Sequence, residues 1–62
     1  MSHVLFIWKP TGYEIREREG EPPSVGSVVE VEEGLRQEVN RISPSPLPGD
    51  ERRAVYLQPL PG

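Results

Sequence analysis

The chain contains no cysteine, so neither a disulfide nor a thiolate zinc site can staple it. It has one histidine, His3, and one aspartate, Asp50. A nucleophile–base–orienter set needs more than that, since each role must be filled within hydrogen-bond reach of the next. No glycine spacing of the phosphate-binding or dinucleotide-binding type is present. The longest apolar run, Val4 to Trp8, is five residues and has no basic segment before it. A membrane span needs about 18–20 such residues. These absences lead to the expectation of a cytoplasmic chain that is not an enzyme, with no membrane span, no cofactor and no metal.

What is present is short, charged and rich in proline. Sixty-two residues form one domain at most. A chain of this size buries a small share of its surface and is marginal as a monomer. Its eight prolines stiffen the unfolded chain, and a partner subunit would add stability by covering more of it. Net charge is −3, which disfavours non-specific nucleic-acid binding. Residues 34–62 nevertheless carry four of the six arginines, against Glu38, Asp50 and Glu51.

Val4-Leu5-Phe6-Ile7-Trp8 is β-branched and aromatic, and reads as a strand buried on both faces. "KPTG" has proline and glycine at turn positions. Beyond it, Tyr13, Ile15 and Glu17 alternate with Glu14, Arg16 and Arg18, the period of a half-exposed strand. Residues 2–19 are therefore predicted to form a β-hairpin, with the alternating charges keeping its outer edge solvated. "EGEPPSVGS" reads as a loop, because Pro22-Pro23 suits neither helix nor ladder. A third strand is predicted over Ser27 to Glu32, with Val29 and Val31 on one side and Val28 on the other.

Residues 34–43 support two readings. Leu35, Val39 and Ile42 fall on one face of a helix. As a strand, Leu35, Gln37 and Val39 share a face and a bulge returns Ile42 to it. The strand reading is preferred, since Asn40 is a poor helix former. "ERRAVYLQ" reads as the last strand, with Val55 and Leu57 on one face and Ala54 and Tyr56 on the other. The expected fold is all-β, a small SH3-like barrel or a five-stranded antiparallel meander. The alternative is α+β with one short helix at 34–43. Residues 1–62 are read as a single small domain, with 59–62 a flexible tail.

"PLPG" occurs at residues 46–49 and again at 59–62. A polyproline ligand repeats every three residues, and no proline here has another three positions on. The first copy is predicted to be a stiff loop that packs Leu47 on the barrel end and turns at Gly49.

"GYEIREREGEPPSVGS", "SPSPLPGD" and "RRAVYLQ" together resemble a group of small uncharacterised bacterial proteins, a likeness that spans about residues 12–58. That resemblance implies a small β-rich domain, without a known activity and without functional residues to carry over. It also implies an aromatic residue just before Val39, where this chain has Gln37.

Two functions remain. The first is a non-catalytic interaction module or accessory subunit that binds another protein, with a homodimer as one form of it. Trp8 and Tyr13 flank a turn and are its candidate contacts. The second is a nucleic-acid-binding SH3-like module that uses Arg36, Arg41, Arg52 and Arg53 as a patch. His3 is read as a solvated residue at a mobile end. Glu30, Glu32 and Glu33 are read as a solvated strand face.

Overall fold

The computed structural model describes residues 2–60. Five strands account for most of them: β1 (Ser2–Lys9), β2 (Gly12–Glu19), β3 (Val28–Glu32), β4 (Leu35–Pro44) and β5 (Arg53–Pro59). They form one mixed sheet in the order β2-β1-β5-β4-β3, curled into a half-barrel. The all-β expectation is met. The helix considered at 34–43 is replaced by β4, because that stretch pairs along both sides, with β3 and with β5.

The antiparallel meander needs correction. β1 and β5 run parallel, and β2 and β3 are the two outer strands rather than neighbours. Hydrophobicity explains the order. β1 and β5 are the strands that are apolar on both faces, with Val4 to Ile7 and Ala54, Val55 and Leu57 all buried or nearly so. They take the centre, where both faces can be covered. β2 and β3 alternate with charge and take the edges.

The concave side holds the main core. Leu5, Ile7, Val31, Val39, Val55 and Leu57 pack there, with Val29, Leu35 and Ile42 at its margin. The convex side carries a second cluster of Val4, Phe6 and Ala54, with Tyr56 against it. Ile42 reaches the core through a bulge in β4. Val39 pairs with Leu57 but Arg41 with Tyr56, so Asn40 is the extra residue. That one insertion turns Ile42 inward and places Arg41 on the convex side beside Tyr56.

Two buried polar side chains were not anticipated. His3 is almost fully buried, and its Nδ1 donates to the Gly20 carbonyl at 3.0 Å. The solvated-terminus reading fails because β1 begins at Ser2 and is flanked at once by β2 and β5. Gln37 is buried too. Its Oε1 accepts from the Trp8 N–H at 3.0 Å, and its Nε2 donates to the Trp8 carbonyl at 2.9 Å. The β1–β5 ladder ends at Phe6–Tyr56, so Trp8 has no strand partner on that side. The carboxamide takes a strand's place, satisfying one donor and one acceptor as a ladder would. A phenylalanine at position 37 could do neither, and no tyrosine or tryptophan offers the side-by-side donor and acceptor of a carboxamide.

The first "PLPG" is ordered, though not chiefly by Leu47, which is half-buried and outside both clusters. Asp50 N–H donates to the Leu47 carbonyl at 3.1 Å, closing a turn with Gly49 at φ +75°. Ser45 Oγ accepts from Leu47 N–H and donates to Asp50 Oδ2. A polar knot therefore holds the loop. At the second copy, Pro59 ends β5 opposite Gln37, so the tail expected at 59–62 starts no earlier than Leu60. Pro61 and Gly62 lie outside the described residues.

Candidate interaction face

Strand alternation and the β4 bulge gather four side chains on the convex face. Phe6 sits on β1, flanked in the ladder by Ile15 of β2 and Tyr56 of β5. The Phe6 and Tyr56 rings are 4.8 Å apart and tilted by 30°. Tyr13 meets both edge-on, at 6.4 Å from Phe6 and 6.2 Å from Tyr56. Such offset and T-shaped contacts suit the ring quadrupoles. Arg41 lies over Tyr56, with Cζ 4.6 Å from the ring centroid.

Part of this cluster is open to solvent. Tyr13 is 54% exposed, Ile15 49% and Trp8 39%. The apolar side of β2 is thus its exposed side. Its other side faces the concavity with Glu14, Arg16 and Arg18; Glu14 accepts from Arg16 Nε at 2.7 Å, and the two arginines reach across to β3. Arg16 Nη2 lies 3.6 Å from Glu32, and Arg18 Nη2 donates to the Glu30 carbonyl at 3.4 Å. Those charges fill the place that Tyr13 and Ile15 would otherwise occupy.

The four arginines of residues 34–62 do not form one patch. Arg36, near the start of β4, faces Glu30 at 3.6 Å. Arg52 is held by Asp50 and Glu17. Arg53 opens β5 opposite Pro44, at the far end of β4 from Arg36. Arg41 stands between those ends, on the convex face. Of the residues singled out in the sequence, the structure brings Tyr13 and Arg41 to one cluster and places Trp8 opposite Tyr13 in the β1–β2 ladder. Phe6, Ile15 and Tyr56 complete the face; Phe6 and Tyr56 are recognisable in the sequence as candidate aromatics, with Phe6 buried as a core residue, and Ile15 was missed. The alternation of β2 marked Ile15 as apolar, which is also the signature of a core residue.

The Asp50–Arg52 pair is the strongest electrostatic feature. Asp50 Oδ1 accepts from Arg52 Nε and Oδ2 from Nη2, both at 2.9 Å, and Oδ1 also accepts from the Arg52 N–H. These bonds hold the Asp50 carboxyl far below the usual carboxylate range, the side-chain bond to Arg52 contributing most. Asp50, and then Glu17, raise Arg52 above its ordinary value. Arg52 thereby ties the 45–52 loop to β2.

Two open concavities flank the sheet. One, of about 410 Å³, has mainly apolar walls including Trp8, Pro10, Leu35 and Leu60. The other, of about 390 Å³, is lined by Ser2, Pro22, Glu51, Arg52 and Arg53. Neither joins Tyr13, Glu14 or Glu38 to a buried arginine, the arrangement acid–base work would call for. Among the described residues no group of three His, Cys, Asp or Glu side chains could hold a metal ion. No helix among them is long and apolar enough to cross a membrane.

Comparison with protein-family models, curated proteins and solved structures returned no match.

Proposed function

We propose that the chain is a non-catalytic interaction module that binds another polypeptide through the convex face of β2, β1 and β5. The exposed Tyr13–Ile15 surface beside the Phe6–Tyr56 pair carries this reading. Tyrosine and arginine next to a packed aromatic centre are the composition of interface hot spots. Nucleic-acid binding is less well supported. Arg41 already covers one face of Tyr56, Phe6 packs on the same ring, and the remaining arginines are scattered or paired. On Tyr56 a base would find little free ring surface, and the exposed rings of Tyr13 and Trp8 have no arginine cluster beside them.

A photoreactive residue in place of Tyr13, introduced in cells, tests the reading. The expected product is a defined polypeptide adduct that disappears when Ile15 is also changed to Glu. Adducts to nucleic acid, or none, would overturn it.

A further inference from the structure

The sheet has two open edges, and they are unlike. β3 is five residues long, interrupted by a register shift between Glu30 and Glu32, and carries those two like charges. Shortness, irregularity and charge of one sign protect an edge from pairing. β2 is neither short, irregular nor of one sign, and its guard is limited to Arg16 and Arg18, which reach Glu32 and the Glu30 carbonyl of β3. It is eight residues long, pairs with β1 in unbroken register, and contains no proline.

Its charges instead alternate in sign, and that pattern can be read against itself. In an antiparallel pair of two β2 strands, a two-fold axis passes through one residue and its copy. An axis at Glu14, Arg16, Glu17 or Arg18 places two like charges directly opposite each other, which is destabilising. An axis at Tyr13 brings Glu14 against Gly12 and runs the ladder into the turn. An axis at Ile15 opposes no like charges, and it meets the turn only at its ends, where Arg18 faces Gly12 and Glu19 faces Thr11. It sets Ile15 against Ile15 and, twice, Glu14 against Arg16, two side chains that within one chain already bond to each other at 2.7 Å and would exchange that partner for the copy's. Both charged pairs lie on the concave side, and Ile15 lies on the convex side.

We infer that β2 is a self-complementary edge, and that the partner of this face is a second copy of the chain, joined by β2–β2 pairing centred on Ile15. The inference rests on the reading of the convex face as a protein-binding surface. The two exposed Tyr13–Ile15 surfaces then merge into one across the axis, flanked by each copy's Phe6 and Tyr56. The product is a continuous ten-stranded sheet with isologous symmetry. A contact built on one strand pair is small, so the dimer forms reversibly and with modest affinity.

The chain has no cysteine, which makes single-cysteine variants clean probes. Directly opposed residues have Cβ atoms about 4.5–5.5 Å apart, within a small shift of what a disulfide takes. Ile15→Cys is expected to oxidise to a covalent dimer. Glu19→Cys, which in this register faces Thr11 of the copy, is expected to remain monomeric. Sedimentation of the wild-type chain from low to high micromolar concentration is expected to show reversible monomer–dimer exchange. Glu14→Arg or Arg16→Glu alone should weaken that exchange at least about tenfold, and the double variant E14R/R16E should restore most of it. Ile15 and Arg16 are exposed and Glu14 is half-buried, and the Glu14–Arg16 bond lies at the surface, so these variants are expected to fold, which circular dichroism verifies. A wild-type chain that stays monomeric throughout, equal oxidation of the I15C and E19C variants, or no rescue in the double variant would overturn the inference. If the chain stays monomeric while the Tyr13 photoadduct to another polypeptide persists, only the dimer is lost. If both fail, the interaction reading fails with it.

Discussion

Gln37 and Asp50 show how single polar side chains hold this small sheet. Gln37 supplies both the donor and the acceptor that Trp8 lacks at the end of the β1–β5 ladder. Gln37→Leu keeps the volume roughly and strands both Trp8 groups, so it should cost about 2–4 kcal/mol by urea denaturation. A loss well below about 1 kcal/mol would show that water replaces the carboxamide. Asp50 acts through charge. Its folded carboxyl lies below its unfolded value of about 3.9. The stability it contributes is therefore complete above about pH 4 and declines as the pH falls toward its depressed folded value. Asp50→Asn should melt below wild type at neutral pH, and the gap between the two melting curves should narrow progressively on acidification below about pH 4. A gap that stays constant with pH would remove the ion pair as its cause.

At the scale of elements, the turns and the β4 bulge do the positioning. Glu33 and Gly34 link β3 to β4, and Gly34 has φ +81° with nothing within 4 Å of where a Cβ would stand. The only penalty for a side chain there is conformational, so Gly34→Ala should destabilise by about 1–2 kcal/mol, read from thermal or urea unfolding. The bulge has wider consequences. Leu35, Val39 and Ile42 fit a helical stripe only if Asn40 is counted as a regular residue, and the structure makes it the surplus one. Deleting Asn40 should make β4 regular and leave Arg41 opposite Tyr56 on the convex side and Ile42 opposite Val55 on the core side. That variant and Asn40→Gly are both expected to retain cooperative urea unfolding, and its loss in the deletion would show that the bulge itself is required.

For the whole molecule, size and edge structure decide behaviour. A chain of 62 residues with one sheet and no helix among its described residues has a small core to rely on. Association would stabilise it by mass action, so the melting midpoint should rise with protein concentration. In Ile15→Lys, which puts two cations on the proposed axis, the midpoint should not depend on concentration. Differential scanning calorimetry at several concentrations measures both. A wild-type midpoint independent of concentration would argue against self-association as a source of stability.

The sequence alone determined where the strands lie, because side-chain alternation is a local property of extended backbone. It marked the β1–β2 hairpin, both faces of β5 and the inward return of Ile42. It also showed Tyr13 and Arg41 as candidate contacts. It did not show that Ile15 and Tyr56 stand beside them, since an apolar residue on an alternating strand reads the same whether its face is covered or open. Only the tertiary structure decided that. β1 and β5, apolar on both faces, take the middle of the sheet, and this contest among all five strands is invisible to any local pattern. Their central pairing sends β2 to an edge, buries His3, leaves Trp8 for Gln37 to complete, and turns Tyr13 and Ile15 to solvent.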